Sequence, residues 1–494
     1  MHDYGFLSIL PPLVAIILAI RTKQVYIALL FGIFMSWIII DHGNIFQGFY
    51  DTIMSLVNVF KSEGNTKTIM FSALVGGLII LIQKSGGVQG FVDLLDKKLG
   101  GLSISENPQN RKKVQFLAWL TGVIIFVETS ISSLTVGTVF RPVFDKMKIS
   151  REKLAYIADS SSAPTSILIP FNAWGAFILG LLLTQGIQGG FSVLFRSMMY
   201  NFYPFLALIL VLIVIFFDFN IGPMKNAEIR VEKEGKLLDD NAKPMISDAL
   251  TNVSPVENIK TKSINMIIPI LVMVGMMPII LIMDGWKKSQ TIYPKFSIKK
   301  IFTAIENGSG STAVLFAVIT AILVAMILYR TQKIMKFTEM FDWILKGISE
   351  MMPLALLMML AFAISSVTKE LGTGNYVAGL AKEHISAGFV PVIIFLLSAF
   401  IAFSTGTSWG TFAIMIPIAV PMAEILHVNP YLSIAAVLSG GVFGDHSSPI
   451  SDTTIISSMA SASDHIDHVK TQLPYALLAG GISAILFLIF GFLG

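Results

Sequence analysis

Four acidic residues lie in or directly beside apolar stretches, where a carboxylate could bind a cation or a proton. They are Glu128, Asp159, Asp445 and Asp452. A carboxylate in hydrocarbon costs several kcal/mol unless it is paired or hydrated, and intramembrane acids therefore usually mark ion or substrate paths. Sodium and a proton can compete for the oxygens of one such group, which would couple their movements.

Two of these acids stand in similar motifs, ADSSSAPTS at 158–166 and GDHSSPISD at 444–452. Each motif predicts an apolar helix that reaches an acid and small hydroxyls and then breaks at proline, which has no N–H for the helical ladder. The freed carbonyls, hydroxyls and carboxylate would suit a hard cation such as sodium. The alternative is an extramembrane turn, because Asp, Ser and Pro are common turn residues. Two copies in apolar surroundings favour the ion site.

A third polar stretch, FSTGTSWGT at 403–411, suits an unwound helix that lines a cavity. Its small residues would equally allow two membrane helices to pack closely. The predicted sodium ligands come from this stretch and from the two motifs: Asp159, Asp445, Ser162, Ser448, Thr407 and Ser408. The predicted proton or substrate path adds Glu128, Asp452, His446, Thr405 and Thr411.

Several of these residues have a second interpretation. Glu128 could form a buried structural ion pair, and His446 could be either a group that titrates near neutral pH or a hydrogen-bonded structural residue. His465 and His468 are expected in a surface loop or at a helix end. No metal-protease or nucleotide-binding motif is visible, so the sequence predicts neither metal catalysis nor ATP-driven transport.

The composition identifies the environment of these residues. Of the 494 residues, 54% are hydrophobic and only 13% are charged, against about 25% charged in an average soluble domain. Apolar runs approach the twenty or so residues that span a bilayer, and they predict an all-α polytopic membrane protein with about ten to thirteen crossings. A soluble enzyme, a nucleic-acid binder and, since cysteine is absent, a disulfide scaffold are excluded. No cofactor is expected apart from sodium as the transported or coupling ion.

The two halves of the chain are related. Gly86 and Gly372, like Asp159 and Asp445, are separated by 286 residues. Five basic residues lie between 141 and 153 after the first VGT, and none lies between 416 and 431 after the matching WGT. Because basic short loops face the cytoplasm, the repeats are predicted to have inverted topology. The expected organisation is an N-terminal transmembrane repeat (1–218), a polar linker (219–262) and a C-terminal transmembrane repeat (263–494).

The stretch GDHSSPISDTT at 444–454, together with TGTSWGT at 405–411 and ISREKLAYIADSSSAP at 149–164, resembles the NhaC family of sodium/proton antiporters. This family lies within the ion transporter superfamily. The resemblance implies an inverted-repeat secondary transporter of the cell membrane, with two re-entrant hairpins and often a homodimer. Its members exchange sodium for protons or for small organic substrates.

One departure from the family pattern bears on coupling. Members often read Asp-Asp-Tyr-x-Asn where this chain has Glu128, Thr129, Ser130, Ile131 and Ser132. One acid is kept as Glu and the second is replaced by Thr129. We therefore expect sodium/proton exchange, with sodium-coupled movement of a small carboxylate or amino acid as the alternative.

Overall fold

The computed structural model describes residues 4–22, 24–99, 108–126, 129–187, 189–244, 259–293 and 295–493. These residues are almost entirely helical, and apart from one isolated bridge they contain no β-structure. Within this described part, ten segments are long and apolar enough to cross a membrane. Helices are expected because every backbone polar group in lipid must be satisfied within the chain. The predicted all-α polytopic fold is confirmed.

The helices of the first half follow a short 3₁₀ turn at Gly5–Ile9. They are α1 (Leu10–Thr22), α2 (Val25–Ile40), α3 (Ile45–Val59), α4 (Glu63–Lys84), α5 (Gly87–Leu99), α6 (Pro108–Ile124), α7 (Thr129–Lys146), α8 (Arg151–Leu168), α9 (Ala173–Thr184), α10 (Gly190–Met198), α11 (Phe202–Phe217) and α12 (Gly222–Glu234).

The second half continues the series after residue 258. Its helices are α13 (Ile264–Ile292), α14 (Ile298–Asn307), α15 (Gly310–Thr331), α16 (Phe337–Glu350), α17 (Met352–Glu370), α18 (Thr373–His384), α19 (Val390–Thr405), α20 (Ser408–Ile425), α21 (Pro430–Ser447), α22 (Asp452–Ala460) and α23 (His465–Leu493).

Helix α21 packs in parallel against α19 through two glycines. Gly440 lies against the carbonyl of Phe395, and Gly444 lies against the carbonyl of Ala399. The contacts advance together along both helices, so the two helices run in the same direction. Glycine allows this close approach because it has no Cβ between the backbones.

Helix α20 returns alongside these two helices in the opposite direction. Ser408 at its start contacts Asp445, and Phe412 one turn later lies against Gly441. Gly406, with φ of 68°, makes the turn from α19 in the left-handed region that glycine adopts without strain. Helices α19 and α20 therefore form a hairpin whose tip meets the end of α21.

The first half contains the same arrangement in α6, α7 and α8. Gly122 of α6 lies against Ser161 of α8, and the carbonyl of Phe126 accepts a hydrogen bond from Ser166, so α6 and α8 run in parallel. The repeat extends further towards the N-terminus. Gly86 after α4 and Gly372 after α17 have the same φ of 69°.

Two contacts show the direction of α21 relative to α11. Asn201 contacts Ser439, and Tyr203, further along, contacts His446. Both series of residue numbers increase together, so α21 runs parallel to α11.

Helix α8 runs the other way. Ser150, directly before α8, donates to Glu228 in α12, beyond the C-terminal end of α11. Ser160, near the middle of α8, contacts His446. His446 also contacts Tyr203 at the start of α11, so α8 advances from the end of α11 towards its start. Since α8 and α21 run in opposite directions, the repeats have the predicted inverted topology.

The described part of the segment at 219–262 includes an ordered helix. Met224, Ala227 and Val231 of α12 are buried, at spacings that place them on one helical face. Part of the predicted polar linker is therefore helical, because the few apolar residues of α12 share one face. Residues 245–258 lie outside the described residues.

Candidate functional site

The carboxylate of Asp445 is held at the N-terminus of α20. Its Oδ2 accepts hydrogen bonds from the backbone N–H of Ser408 at 3.1 Å and from the Oγ of Ser408 at 2.6 Å. The first N–H groups of a helix have no partner within the helix, and the helix dipole favours negative charge there. The turn at Gly406 and Thr407 therefore places an anion-stabilising helix end on this acid.

Asp445 also faces a cavity of about 380 Å³. A second acid, Asp452, lies on the same cavity in the first turn of α22 and is exposed. Trp174 and Trp409 form part of the wall, with ring centroids 5.3 Å apart. The other polar lining groups come from several helices and loops, and they include Gln24, Tyr26, Thr129, Ser130, Thr405, Thr407 and Thr453.

Asp159, the equivalent acid of the first repeat, has different surroundings. It is completely buried and is not among the residues that line this cavity. Its Oδ2 accepts hydrogen bonds from Nε2 of Gln472 at 2.7 Å and from Oγ1 of Thr454 at 3.2 Å. Its Oδ1 has no hydrogen-bond partner among the described residues. Of the two equivalent acids, Asp445 therefore faces a cavity and Asp159 is enclosed.

The backbone around the two acids differs as well. Helix α21 ends at Ser447, as the second motif predicts, whereas α8 continues through Pro164 to Leu168. The predicted break at Pro164 is therefore wrong. Hydroxyls support the continuous helix, because Ser162 donates to the carbonyl of Asp159 and Thr165 donates to that of Ser161. Such bonds to the backbone are one way in which membrane helices tolerate proline.

Of the other predicted sodium ligands, Ser448 belongs to the surroundings of Asp445 and Ser162 to those of Asp159. Ser448 lies in the break after α21 and donates to the carbonyl of Phe403, which ties the break to the tip of the α19–α20 hairpin. Ser162 contacts Ser133 of α7 at 2.8 Å. Thr411 is buried one turn inside α20 and donates to the carbonyl of Thr407.

Two further residues, His446 and Glu128, were predicted for the proton or substrate path. His446 is buried, with Nδ1 at 2.7 Å from the hydroxyl of Tyr203 and Nε2 at 3.0 Å from Oγ of Ser160. It is therefore hydrogen-bonded on both ring nitrogens. Glu128 lies outside the described residues.

Sequence reasoning missed Gln472 and underestimated His468. Gln472 joins the two repeats, because its Nε2 donates both to Asp159 and to the carbonyl of His446 at 2.5 Å. His468 is fully buried and contacts Gln472 in the first turn of α23, so the surface-loop alternative is wrong and the helix-end alternative is right. The sequence signal that could have indicated a buried pair was the spacing of four residues between His468 and Gln472. This spacing places both on one face of a helix whose later part is strongly apolar.

A comparison with known proteins decides the family. A model of the Na+/H+ antiporter family matches residues 179–492, which include the α19–α20 hairpin, Asp445 and Asp452. The chain belongs to the Na+/H+ antiporter family. It is accordingly a multi-pass transporter of the cell membrane and not an enzyme.

Individual relatives agree with this membership. An uncharacterized protein of Haemophilus influenzae is 34% identical over 98% of this chain and 91% of its own length. A malate-2H(+)/Na(+)-lactate antiporter of Bacillus subtilis is 36% identical over 24% of this chain and 28% of its own. The arginine/ornithine antiporter ArcD of Halobacterium salinarum is 30% identical over 31% of this chain and 32% of its own.

Solved structures share the fold of this antiporter-family chain. MtrF of Neisseria gonorrhoeae, described as one of a class of antimetabolite efflux pumps, has a TM-score of 0.56 at 14% identity and covers 90% of this chain and 84% of its own. The YdaH transporter of Alcanivorax borkumensis has a TM-score of 0.53 at 13% identity, over 90% and 88%. At such identities the likeness concerns the fold alone.

Proposed function

We propose that this antiporter-family member is of the NhaC type and exchanges sodium for protons at Asp445. The observation that supports this best is the position of Asp445, which faces a cavity while the N-terminus of α20 binds its carboxylate. A carboxylate in that position can release a proton and bind a sodium ion, or the reverse, without opening the protein core. Family membership supports sodium and protons as the transported species.

In this proposal the sodium ion binds where the hairpin tip meets the end of α21. The carboxylate of Asp445 supplies the charge, and oxygens of Ser408, Thr407 and Ser448 complete a set of hard ligands. Asp452, with Thr405 on the same cavity, lies on the way in and raises the local cation concentration. Because an incoming proton neutralises the same carboxylate, the two cations exclude one another.

The enclosed acid belongs to the other half of the proposed cycle. Asp159 with Ser162 would serve the opposite side of the membrane, when the inverted repeats exchange their conformations. The repeats at 1–218 and 263–494 would then move relative to one another, connected by the linker at 219–262.

The deciding experiment measures proton movement in proteoliposomes after addition of sodium. We expect Asp445→Asn to abolish sodium-dependent proton flux, because the amide keeps the size of the side chain but binds neither cation. The matched control is Asp240→Asn, since Asp240 is exposed in the linker. Unaltered exchange in Asp445→Asn would contradict the proposal.

A second candidate function follows from the size and walls of the cavity. A volume of about 380 Å³ exceeds what a sodium ion needs, and Trp174 and Trp409 offer flat apolar faces to an organic solute. Two relatives are named as exchangers of malate and lactate or of arginine and ornithine. The alternative is therefore sodium-coupled transport of a small carboxylate or amino acid.

Uptake of a labelled panel of such solutes, with and without a sodium gradient, separates the two functions. Sodium-dependent uptake that Trp409→Ala lowers would favour the alternative. Sodium-driven proton flux without uptake of any solute would favour simple exchange.

A further inference from the structure

Two histidines and one serine form a group near Asp159 that contains none of the proposed sodium ligands; His465 is half-buried. Ser458 of α22 contacts Nδ1 of His465 at 3.0 Å and Nδ1 of His468 at 2.8 Å. Ser458 and His468 are both fully buried. We call Ser458, His465 and His468 the histidine bridge.

The outer nitrogen of each histidine must carry a hydrogen. Nε2 of His465 lies 2.7 Å from the carbonyl oxygen of Pro449, which can only accept. Nε2 of His468 lies 2.9 Å from Oε1 of Gln472. The amide orientation of Gln472 follows from its other contacts, because its Nε2 faces a carboxylate and a carbonyl, and both are acceptors. Both Nε2 atoms are therefore donors.

The inner nitrogens then lack one hydrogen. In a neutral imidazole with a hydrogen on Nε2, Nδ1 is an acceptor. The hydroxyl of Ser458 has one hydrogen and can serve only one of the two Nδ1 atoms. It also lies 2.7 Å from the carbonyl of Thr454, a third acceptor. With both imidazoles neutral, at least one short Nδ1–Oγ contact would join two lone pairs.

One additional proton gives a hydrogen to both Nδ1–Oγ contacts and leaves only the contact with the carbonyl of Thr454 without one. A hydrogen on either Nδ1 would donate to Oγ of Ser458, while the hydroxyl donates to the other Nδ1. We propose that the histidine bridge binds one excess proton and is a proton-binding site of this transporter. The inference rests on the proposed exchange of protons for its role, but the site itself follows from the hydrogen-bond geometry.

The position of the bridge suits delivery of a proton to the transport acids. Gln472 joins His468 to Asp159, and His465 binds the carbonyl of Pro449 in the break after Asp445. Neither histidine contacts either carboxylate directly within the hydrogen bonds of the described residues. The site thus lies between the two repeats without being part of either cation site.

A second cavity, of about 430 Å³, lies next to the bridge. Asp467 and Thr471, which flank His468 in the first turns of α23, line this cavity. The titratable and charged groups on the elements packed around the bridge include Asp145 of α7, Arg151, Glu152 and Asp159 of α8, Tyr203 of α11, Arg230 of α12, His446 of α21, Asp452 of α22, and Asp464, Asp467 and Lys470 beside the bridge itself. The carboxylate of Asp159 favours a positive charge on His468, whereas the burial of His468 opposes it.

The test is ¹⁵N NMR of the full-length protein with labelled histidine, which distinguishes imidazole from imidazolium. At about pH 7 we expect one imidazolium signal, and we expect it to be lost in both His465→Gln and His468→Gln. The control, His427→Asn, replaces an exposed histidine with positive φ by a residue that tolerates this conformation, and it should leave the signal unchanged. Two neutral imidazoles in the wild type down to about pH 5 would overturn the proposal.

Transport adds a readout that separates this inference from the proposed function. In proteoliposomes, His468→Gln should displace the pH midpoint of sodium-driven proton flux by about one pH unit, a tenfold change in proton affinity. Wild-type flux with an unaltered profile in His468→Gln would contradict the bridge alone. An imidazolium signal without any sodium-driven flux would contradict the exchange function and leave the bridge intact.

Discussion

Nε2 of His446 lies 3.0 Å from Oγ of Ser160, and these residues stand 286 positions apart, at equivalent places in the two repeats. A two-fold rotation brings equivalent residues into contact only close to its axis. The contact therefore marks the pseudo-two-fold axis of the transporter. The side chains at this contact are not symmetric, since one repeat supplies a hydroxyl and the other an imidazole.

Ser408 is expected to set the affinity for sodium. Ser408→Ala removes the 2.6 Å hydrogen bond to Asp445 and one proposed ligand. A hydrogen bond to a charged group contributes about 1.5 kcal/mol or more, so the sodium concentration for half-maximal flux should rise roughly tenfold. Ser404→Ala, at a half-buried position on the preceding helix, is the control. An unchanged half-maximal concentration in Ser408→Ala would remove this residue from the site.

Gly444 is expected to hold α21 close to α19. In Gly444→Ala the new Cβ would overlap the carbonyl of Ala399, a backbone atom that cannot rotate away. We expect a loss of about 1–3 kcal/mol in unfolding free energy and reduced transport, because Asp445 is the next residue.

The control for this change is Gly481→Ala in α23, where no neighbouring atom lies within 4 Å of the new Cβ. Alanine there should stabilise the helix by up to about 1 kcal/mol, since it is the better helix former. Unfolding in detergent measures both variants. Equal effects at the two positions would contradict the close packing of α19 and α21.

Glu228 is expected to stabilise the fold through a buried charge. Its carboxylate accepts two hydrogen bonds from Ser150 and pairs with Lys153, which is only 1% exposed, and with Arg111. Glu228→Gln leaves Lys153 buried without its counter-charge and should cost about 3 kcal/mol of unfolding free energy. Asp240→Asn breaks an exposed pair with Lys236 and should change nothing measurable.

Asp464 is expected to make stability depend on pH in the acid range. Burial alone would raise the pKa of this carboxylate, but N–H donors of Lys243, Asp467 and Ile466 outweigh it and hold the pKa below its usual value. The stabilisation is therefore complete above about pH 4, the ordinary pKa of Asp, and is lost as the pH falls further.

Two substitutions of Asp464 test this pH dependence. Its Oδ1 accepts from Ile466 and Asp467 in the first turn of α23, as an N-cap does. Asp464→Ala should cost about 1 kcal/mol at neutral pH, and Asp464→Asn should cost less because it keeps the capping oxygen. Melting curves between neutral and acid pH measure the effect. A wild-type advantage that persists unchanged at low pH would contradict the role of the carboxylate.

The sequence was sufficient for the membrane fold and for the inverted repeats, because apolar length and loop charge are local properties that lipid enforces. It also indicated Asp445 and the hairpin tip at Gly406 and Thr407. The roles of the proposed ligand residues, the two-repeat domain division and the homodimer stay predictions.

What it could not provide were relationships between distant parts of the chain. Gln472 lies 313 residues from Asp159, and no residue near it in the sequence predicts the hydrogen bond between them. The continuous path of α8 through Pro164 was equally hidden, because similar motifs end the helix in one repeat and not in the other.

That difference between α8 and α21 has an energetic consequence. Two related segments adopt different backbone conformations in one molecule, and proline follows Asp159 by five residues in one and Asp445 by four in the other. A proline inside a helix costs about 3 kcal/mol, which is comparable to the free-energy differences by which a bound ion can shift a conformational population. We expect such a segment to be bistable, with its conformation set by the cation that occupies its acid.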